Sequence, residues 1–192
     1  MAKANDDPKQ RMIDSAIVML ATRGLQGTSF SEVLEHSGAP RGSVYHHFPG
    51  GKTELVAAAI DHASARALAF VEGDGEASAR EITARFLQMW RKVLEASKLE
   101  AGCSVLAVGI AADTAELRER AGSVFRRWRT RLADLLHRGG LSPERAKRFA
   151  ATLIAASEGA VAVSRAEKDL EAFDLTAAML LEQVDRLATR KR

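Results

Sequence analysis

The chain signals the start of a helix five times. Asp7-Pro8-Lys9-Gln10, Ser29-x-x-Glu32, Ser78-x-x-Glu81 and Asp113-x-x-Glu116 each set a short side-chain acceptor three residues before an amide or carboxylate, and Ser142-Pro143 sets one before a proline. Such pairs satisfy the orphan N–H groups of a first helical turn. Between them, apolar residues recur at helical spacing, as in Ile13, Ala16, Ile17 and Leu20, and glycines such as Gly24, Gly38 and Gly139-Gly140 mark the stops. No alternating or β-branched run lies between turn signals, so no sheet is expected. The pattern predicts an all-α chain of about nine helices: roughly 8–23, 29–37, 41–48, 52–71, one opening at Ser78, 103–111, 113–137, 143–168 and 175–187.

Bulk properties exclude several classes. With 192 residues, 46% hydrophobic and 28% charged, the chain can bury a core and is not disordered. The longest uncharged run, 101–112, is too short to cross a bilayer. The N-terminus lacks an apolar signal core and Cys103 has no second cysteine to bond, so a cytoplasmic location is expected. The net charge of +3 permits nucleic-acid binding without demanding it, because residues 1–54 hold six basic and six acidic side chains. The five histidines have no metal-ligand spacing and no G-x-S-x-G motif occurs, so neither a metal, a cofactor nor enzyme chemistry is expected.

The segment "GSVYHHFPGGKTEL" over 42–55 admits two readings. Gly51-Lys52-Thr53 fits the end of a phosphate-binding loop, but His46 stands where that loop needs its first glycine, and the motif needs a buried strand before it. The other reading is a helix-turn-helix over about 29–48. At a hundred degrees per residue, Val44 and Phe48 share one face and can pack on Val33 and Leu34, while Gly42, Ser43 and His46 face outward, flanked by Arg41, Tyr45 and His47. Arg41 can fork onto guanine, Ser43 can bond a base edge or phosphate, and Gly42 lets the backbone come close. Tyr45 and His46 suit phosphate oxygens. Lys52 and Thr28, each at the start of a helix, add a charge or hydroxyl to amides that favour an anion.

"TSFSEVLEHSGAPRGSVYHHFPGGKTEL" resembles the DNA-binding signature of the tetracycline-repressor (TetR) family, over about residues 8–60, with "RGSVYHHF" its most specific part. The double glycine before Lys52 is one residue longer than the common turn and resembles the branch of lincomycin-resistance-type repressors. Pro40 stands where many members have a capping Ser. The resemblance implies a homodimeric repressor, with a three-helix DNA-binding domain over 1–55 and a helical ligand-binding and dimerisation domain over 56–192. It implies a palindromic double-stranded DNA operator and a small-molecule effector that releases it. A helical ligand-binding or interaction protein without DNA binding is the alternative.

In the second half, Arg118 to Arg131 holds six arginines against one acid. Leu117, Ala121, Val124, Trp128, Leu132 and Leu135 make an apolar stripe opposite most of them, so the arginines read as a solvated face. Phe86, Met89, Trp90, Cys103, Phe125 and Trp128 are candidates for a ligand pocket, and core packing accounts for them equally well. Ala156 and Ala160, with Leu180, Val184 and Leu187 on the last helix, are candidates for a four-helix dimer interface; packing within the chain is the other reading.

Overall fold

Residues 7–40, 42–73 and 75–189 are described in a computed structural model. Among them the chain forms nine helices and no strand: α1 Pro8–Arg23, α2 Phe30–Ser37, α3 Ser43–His47, α4 Gly51–Glu72, α5 Ala79–Ala96, α6 Ser104–Ala111, α7 Ala115–Arg138, α8 Pro143–Glu167 and α9 Glu171–Thr189.

The helix starts follow their caps, with three departures. Ser29 and Ser78 form complete capping boxes with Glu32 and Glu81, and Asp7 accepts from the Lys9 N–H at 3.0 Å. Gln10 does not complete the Asp7 box; its amide meets His62 Nε2 at 3.1 Å, tying α1 to α4. For α7, Thr114 rather than Asp113 supplies the cap, accepting from Leu117 N–H at 3.3 Å. α9 begins at Glu171, four residues earlier than expected, because Asp169 accepts from the Glu171 N–H at 2.7 Å. α5 stops at Ala96, before Gly102, through left-handed Lys98 and Leu99, which no turn residue announces.

The chain packs as two compact units. The first takes the described residues up to 65 together with 103–124; the second takes the described residues of 66–102 and 125–189. The sequence placed a division at 55/56 by role. Packing draws its line differently because α6 and the first half of α7 bury apolar residues in the first unit, and α4 and α7 each contribute to both. In the first unit α1 packs on α2, α3 and α6, with Met12, Ala16 and Leu20 fully buried. Asp61 on α4 pairs with Arg120 on α7 there.

In the second unit α9 packs on α5 and α8. Arg80 pairs with Asp185 and Arg91 with Asp174, so α9 runs antiparallel to α5. The Arg145 guanidinium donates to the Leu187 carbonyl and the Phe173 N–H donates to Ser164, so α9 is also antiparallel to α8. Gly139 is required here: its carbonyl accepts the Ala79 N–H at 2.8 Å, and a Cβ on it would stand 2.5 Å from that same nitrogen.

Glu72, at the end of α4, accepts from Arg131 at 2.6 Å, and that hydrogen bond holds its carboxyl below its ordinary value of 4.5. Bonds from Ser29, Ser78 and Lys168 lower Glu32, Glu81 and Glu100 in the same way. Depressed carboxylates contribute stability that is present above the unfolded pKa and lost as pH falls through the folded one. The melting temperature is therefore expected to fall as pH drops below about 4.5, and Glu72→Gln to flatten that dependence. Melts at pH 3 to 6 check it; parallel curves for wild type and variant contradict it.

Candidate nucleic-acid interface

α2, the turn after it and α3 form a helix-turn-helix. Val33 (0% exposed) and Phe48 (1%) anchor the two ends of the motif in the first unit's core. Gly38, in the left-handed region at φ 63°, turns the chain after α2 where a side chain would be strained. Gly51 N–H bonds back to the Phe48 carbonyl at 3.0 Å and opens α4. Gly51-Lys52-Thr53 is therefore preceded by a helix and a turn; no strand stands before it among the described residues, which removes the phosphate-loop reading.

The face of α3 away from Phe48 is exposed. Tyr45 is 72% exposed, with its ring centroid 6.4 Å from that of Phe30, and the His46 and His47 rings meet edge-on at 5.0 Å. Gly42 is exposed, and a Cβ added there would meet nothing within 4 Å. Tyr45, Phe30, Leu34 and Gly38 line an open hollow of about 1000 Å³. Arg41 and the side chains of Ser43 and Val44 lie outside the described residues.

Two residues near the helix starts make contacts within the chain. Thr28 is 1% exposed and its hydroxyl donates inward to the Gly24 carbonyl at 2.8 Å, so it does not belong to the exposed surface. Its neighbour Ser29, not Thr28, is the cap of α2. Lys52 is half-buried and its ammonium donates to the Leu25 carbonyl at 2.9 Å, bridging α4 to the loop before α2. At the same helix start, Glu54 accepts the Gly50 N–H at 2.8 Å, so a carboxylate already occupies one amide that sequence reasoning reserved for a phosphate. The Gly50–Glu54 spacing carried that signal. Lys9 was also missed: its ammonium sits 5.7 Å over the Phe48 ring, beside α3.

In the second unit, Phe86, Trp90 and Phe125 surround Trp128, with ring centroids 6.3, 6.5 and 6.0 Å away. Met89 is half-buried. Cys103 is not part of this group: it falls in the first unit, where its Sγ accepts the Leu106 N–H and caps α6. The rings pack on one another, and the two described hollows of this unit, about 580 and 900 Å³, are lined by other residues of α4, α5, α7, α8 and nearby loops.

Of the residues expected at a dimer interface, Ala160 (6% exposed), Leu180 (4%) and Val184 (0%) are buried within the chain, and Ala156 and Leu187 are half-buried. The α9 stripe that includes Leu180 and Val184 is spent on α5 and α8. The outward face carries Ala155, Gly159 and Val163 on α8, with Leu175 (63%), Ala178 and Met179 (61%) on α9. Among the described residues no three His, Cys, Asp or Glu side chains are placed to hold a metal ion, and no helix is long and apolar enough to cross a membrane.

A capped helix, a tight turn and a short helix presenting an exposed polar and aromatic face define the class of helix-turn-helix DNA-binding proteins. Comparison with known proteins places the chain within that class. The family model described as "Bacterial regulatory proteins, tetR family" matches residues 12–59, and that of the "Transcriptional regulator LmrA/YxaF-like, C-terminal domain" matches 79–179. The chain is 36% identical over 176 residues to the HTH-type transcriptional regulator Rv0196 of Mycobacterium tuberculosis, covering 88% of this chain and 89% of that one. It is 28% identical over 169 residues to the HTH-type transcriptional regulator LmrA of Bacillus subtilis, covering 85% and 89%. The solved structure of a regulatory protein TetR from Rhodobacter sphaeroides shares the fold, with a TM-score of 0.79, 22% identity and coverage of 90% and 96%.

The chain belongs to the TetR family of transcriptional regulators, with a C-terminal domain of the LmrA/YxaF-like type. It is a DNA-binding regulator and not an enzyme.

Proposed function

We propose that the chain is a cytoplasmic, homodimeric repressor that binds a palindromic operator through α3 of each subunit and leaves it when a small molecule binds the C-terminal domain. By role, residues 1–55 read DNA and 56–192 bind ligand and dimerise. The observation that carries the DNA reading is the exposed Tyr45–His46 face of α3, set opposite Phe48 in the core. Arg41, Gly42, Ser43, Tyr45 and His46 form the contact surface. Lys52, whose ammonium has two N–H groups beyond the one given to Leu25, adds a phosphate contact. Dimerisation uses the exposed face of α8 and α9, whose Gly159 and alanines permit close helix approach.

Two substitutions separate base reading from phosphate contact. Arg41→Ala is expected to lose ~1–3 kcal/mol and relax sequence preference, whereas Lys52→Ala weakens binding to all sequences alike and lowers the salt slope by about one. Gly42→Ala meets open space in the protein, so an unchanged melt with a loss of operator affinity would locate the clash on the DNA side. Titrations at fixed salt measure all three; unchanged operator affinity in Arg41→Ala and Gly42→Ala would remove these two residues from the interface.

A further inference from the structure

Between α7 and α8 the second unit carries an open furrow of about 580 Å³, lined in part by Ala133, Pro143 and Ala151 and edged by Arg129, Lys147 and Arg148. The three cations are exposed and have no ion pair among the described residues. Arg80, Arg91, Arg131, Lys168 and Arg186 of the same unit, by contrast, each hold a carboxylate of the chain. Two carboxylates also line the furrow, and the fold accounts for both. Asp134, after Glu72, supports the charge of Arg131, and Glu144 lies in the first turn of α8, where the helix dipole favours an acid. Three like charges gathered around an apolar hollow repel one another until an anion joins them.

The other end of α8 has the opposite sign. Glu167 and Glu171 flank the turn into α9, both exposed and both without an ion pair among the described residues. The cations near them are engaged elsewhere: Lys168 pairs with Glu100 at 2.6 Å, and Arg165 donates to the Glu100 carbonyl at 2.7 Å. Between the two ends, Arg148, Ala155, Gly159 and Ala166 recur at intervals of seven, four and seven residues on one exposed face of the helix. A surface that is basic at one end and acidic at the other is complementary to itself under a two-fold axis through its middle.

We propose that the furrow holds the acidic end of α8 from a second copy of the chain, with Lys147 and Arg148 facing Glu167 and Glu171 of the partner subunit. The inference rests on the homodimer reading and adds which surfaces meet. A two-fold axis between Ala155 and Gly159 crosses the two α8 helices antiparallel, so the contact is made twice. Glu167 then lies about 15 Å along the helix from the axis. A crossing of ~20° that leans toward α7 moves this end about 5 Å sideways, over the furrow rather than over α8 itself. The same crossing sets the negative C-terminal end of each helix dipole beside the cations of the other subunit. The furrow is thereby a subunit contact and not a place for an effector.

The test is sedimentation of the full-length wild type, two variants and their mixture at micromolar concentration. Lys147→Glu with Arg148→Glu puts like charges into both contacts, and so does Glu167→Lys with Glu171→Lys. Each variant is expected to raise the dimer dissociation constant at least about a hundredfold, with helical content unchanged. Mixing the two is expected to restore dimers, because a mixed pair has one contact with both signs reversed and one with both signs native. With a dimeric wild type, dimers that persist undiminished in either variant, or a mixture that stays monomeric, overturn the proposal and leave the homodimer in place. A monomeric wild type overturns the homodimer reading and this inference with it. If either variant does not fold, the wild type decides: its dimer dissociation constant is expected to rise about tenfold between roughly 0.05 and 0.5 M sodium chloride, and a constant value overturns the proposal.

Discussion

Replacing Phe48 by Ala is expected to destabilise the first unit by about 3–5 kcal/mol and to abolish operator binding. The ring is 1% exposed, lies directly after α3, and has the Lys9 ammonium over its face. Removing it deletes the contact that fixes the direction of a helix only five residues long. A helix of that length has no stability of its own and depends on tertiary packing. A loss of this size is a large part of the ~5–15 kcal/mol that holds a typical domain together. Urea unfolding and a gel-shift titration measure the two effects, and Phe48→Leu is expected to recover much of both. A Phe48→Ala protein that melts like the wild type and keeps its operator affinity would contradict the anchoring role.

The second large effect is expected from the outward face of α9. Leu175→Asp with Met179→Asp places two carboxylates on side chains that are 63% and 61% exposed in the single chain. Neither packs in the chain's own core, so the subunit fold is expected to survive. A dimer seam, in contrast, would have to bury both charges without partners. The variant should sediment as a monomer at micromolar concentration. Its operator affinity should fall about 10²–10⁴-fold, because two linked half-site contacts become one. The matched control is Val184→Ala, at 0% exposure, which should lower stability without separating the subunits. Dimers that persist in the double variant would move the interface elsewhere.

These two residue sets show what the sequence could and could not reveal. The helices were legible because their starts are local chemistry: Ser29–Glu32 and Ser78–Glu81 close the boxes their spacing promised. The α3 face was legible because a helix with Phe48 inward must turn His46 outward and leaves Tyr45 on the flank, where it is 72% exposed. Which apolar face of α9 serves the chain and which faces water was not legible, since Leu180 and Leu175 look alike until α5 and α8 are in place. Thr28 misled for the same reason: a hydroxyl before a helix suits a phosphate, and only the Gly24 carbonyl shows it turned inward. The aromatic residues of α5 and α7 pack against one another, whereas Cys103, close to α5 in sequence, belongs to the other unit.

The most direct test of sequence-specific DNA binding by a dimer is selection of duplexes from a random-sequence DNA pool by the purified full-length protein at physiological salt. Enrichment of an inverted repeat whose half-sites lie about one helical turn apart, ~34 Å, is the expected result, with Arg41→Ala relaxing the consensus. Failure to enrich any sequence over the starting pool, or enrichment of a single unrepeated site, would contradict it.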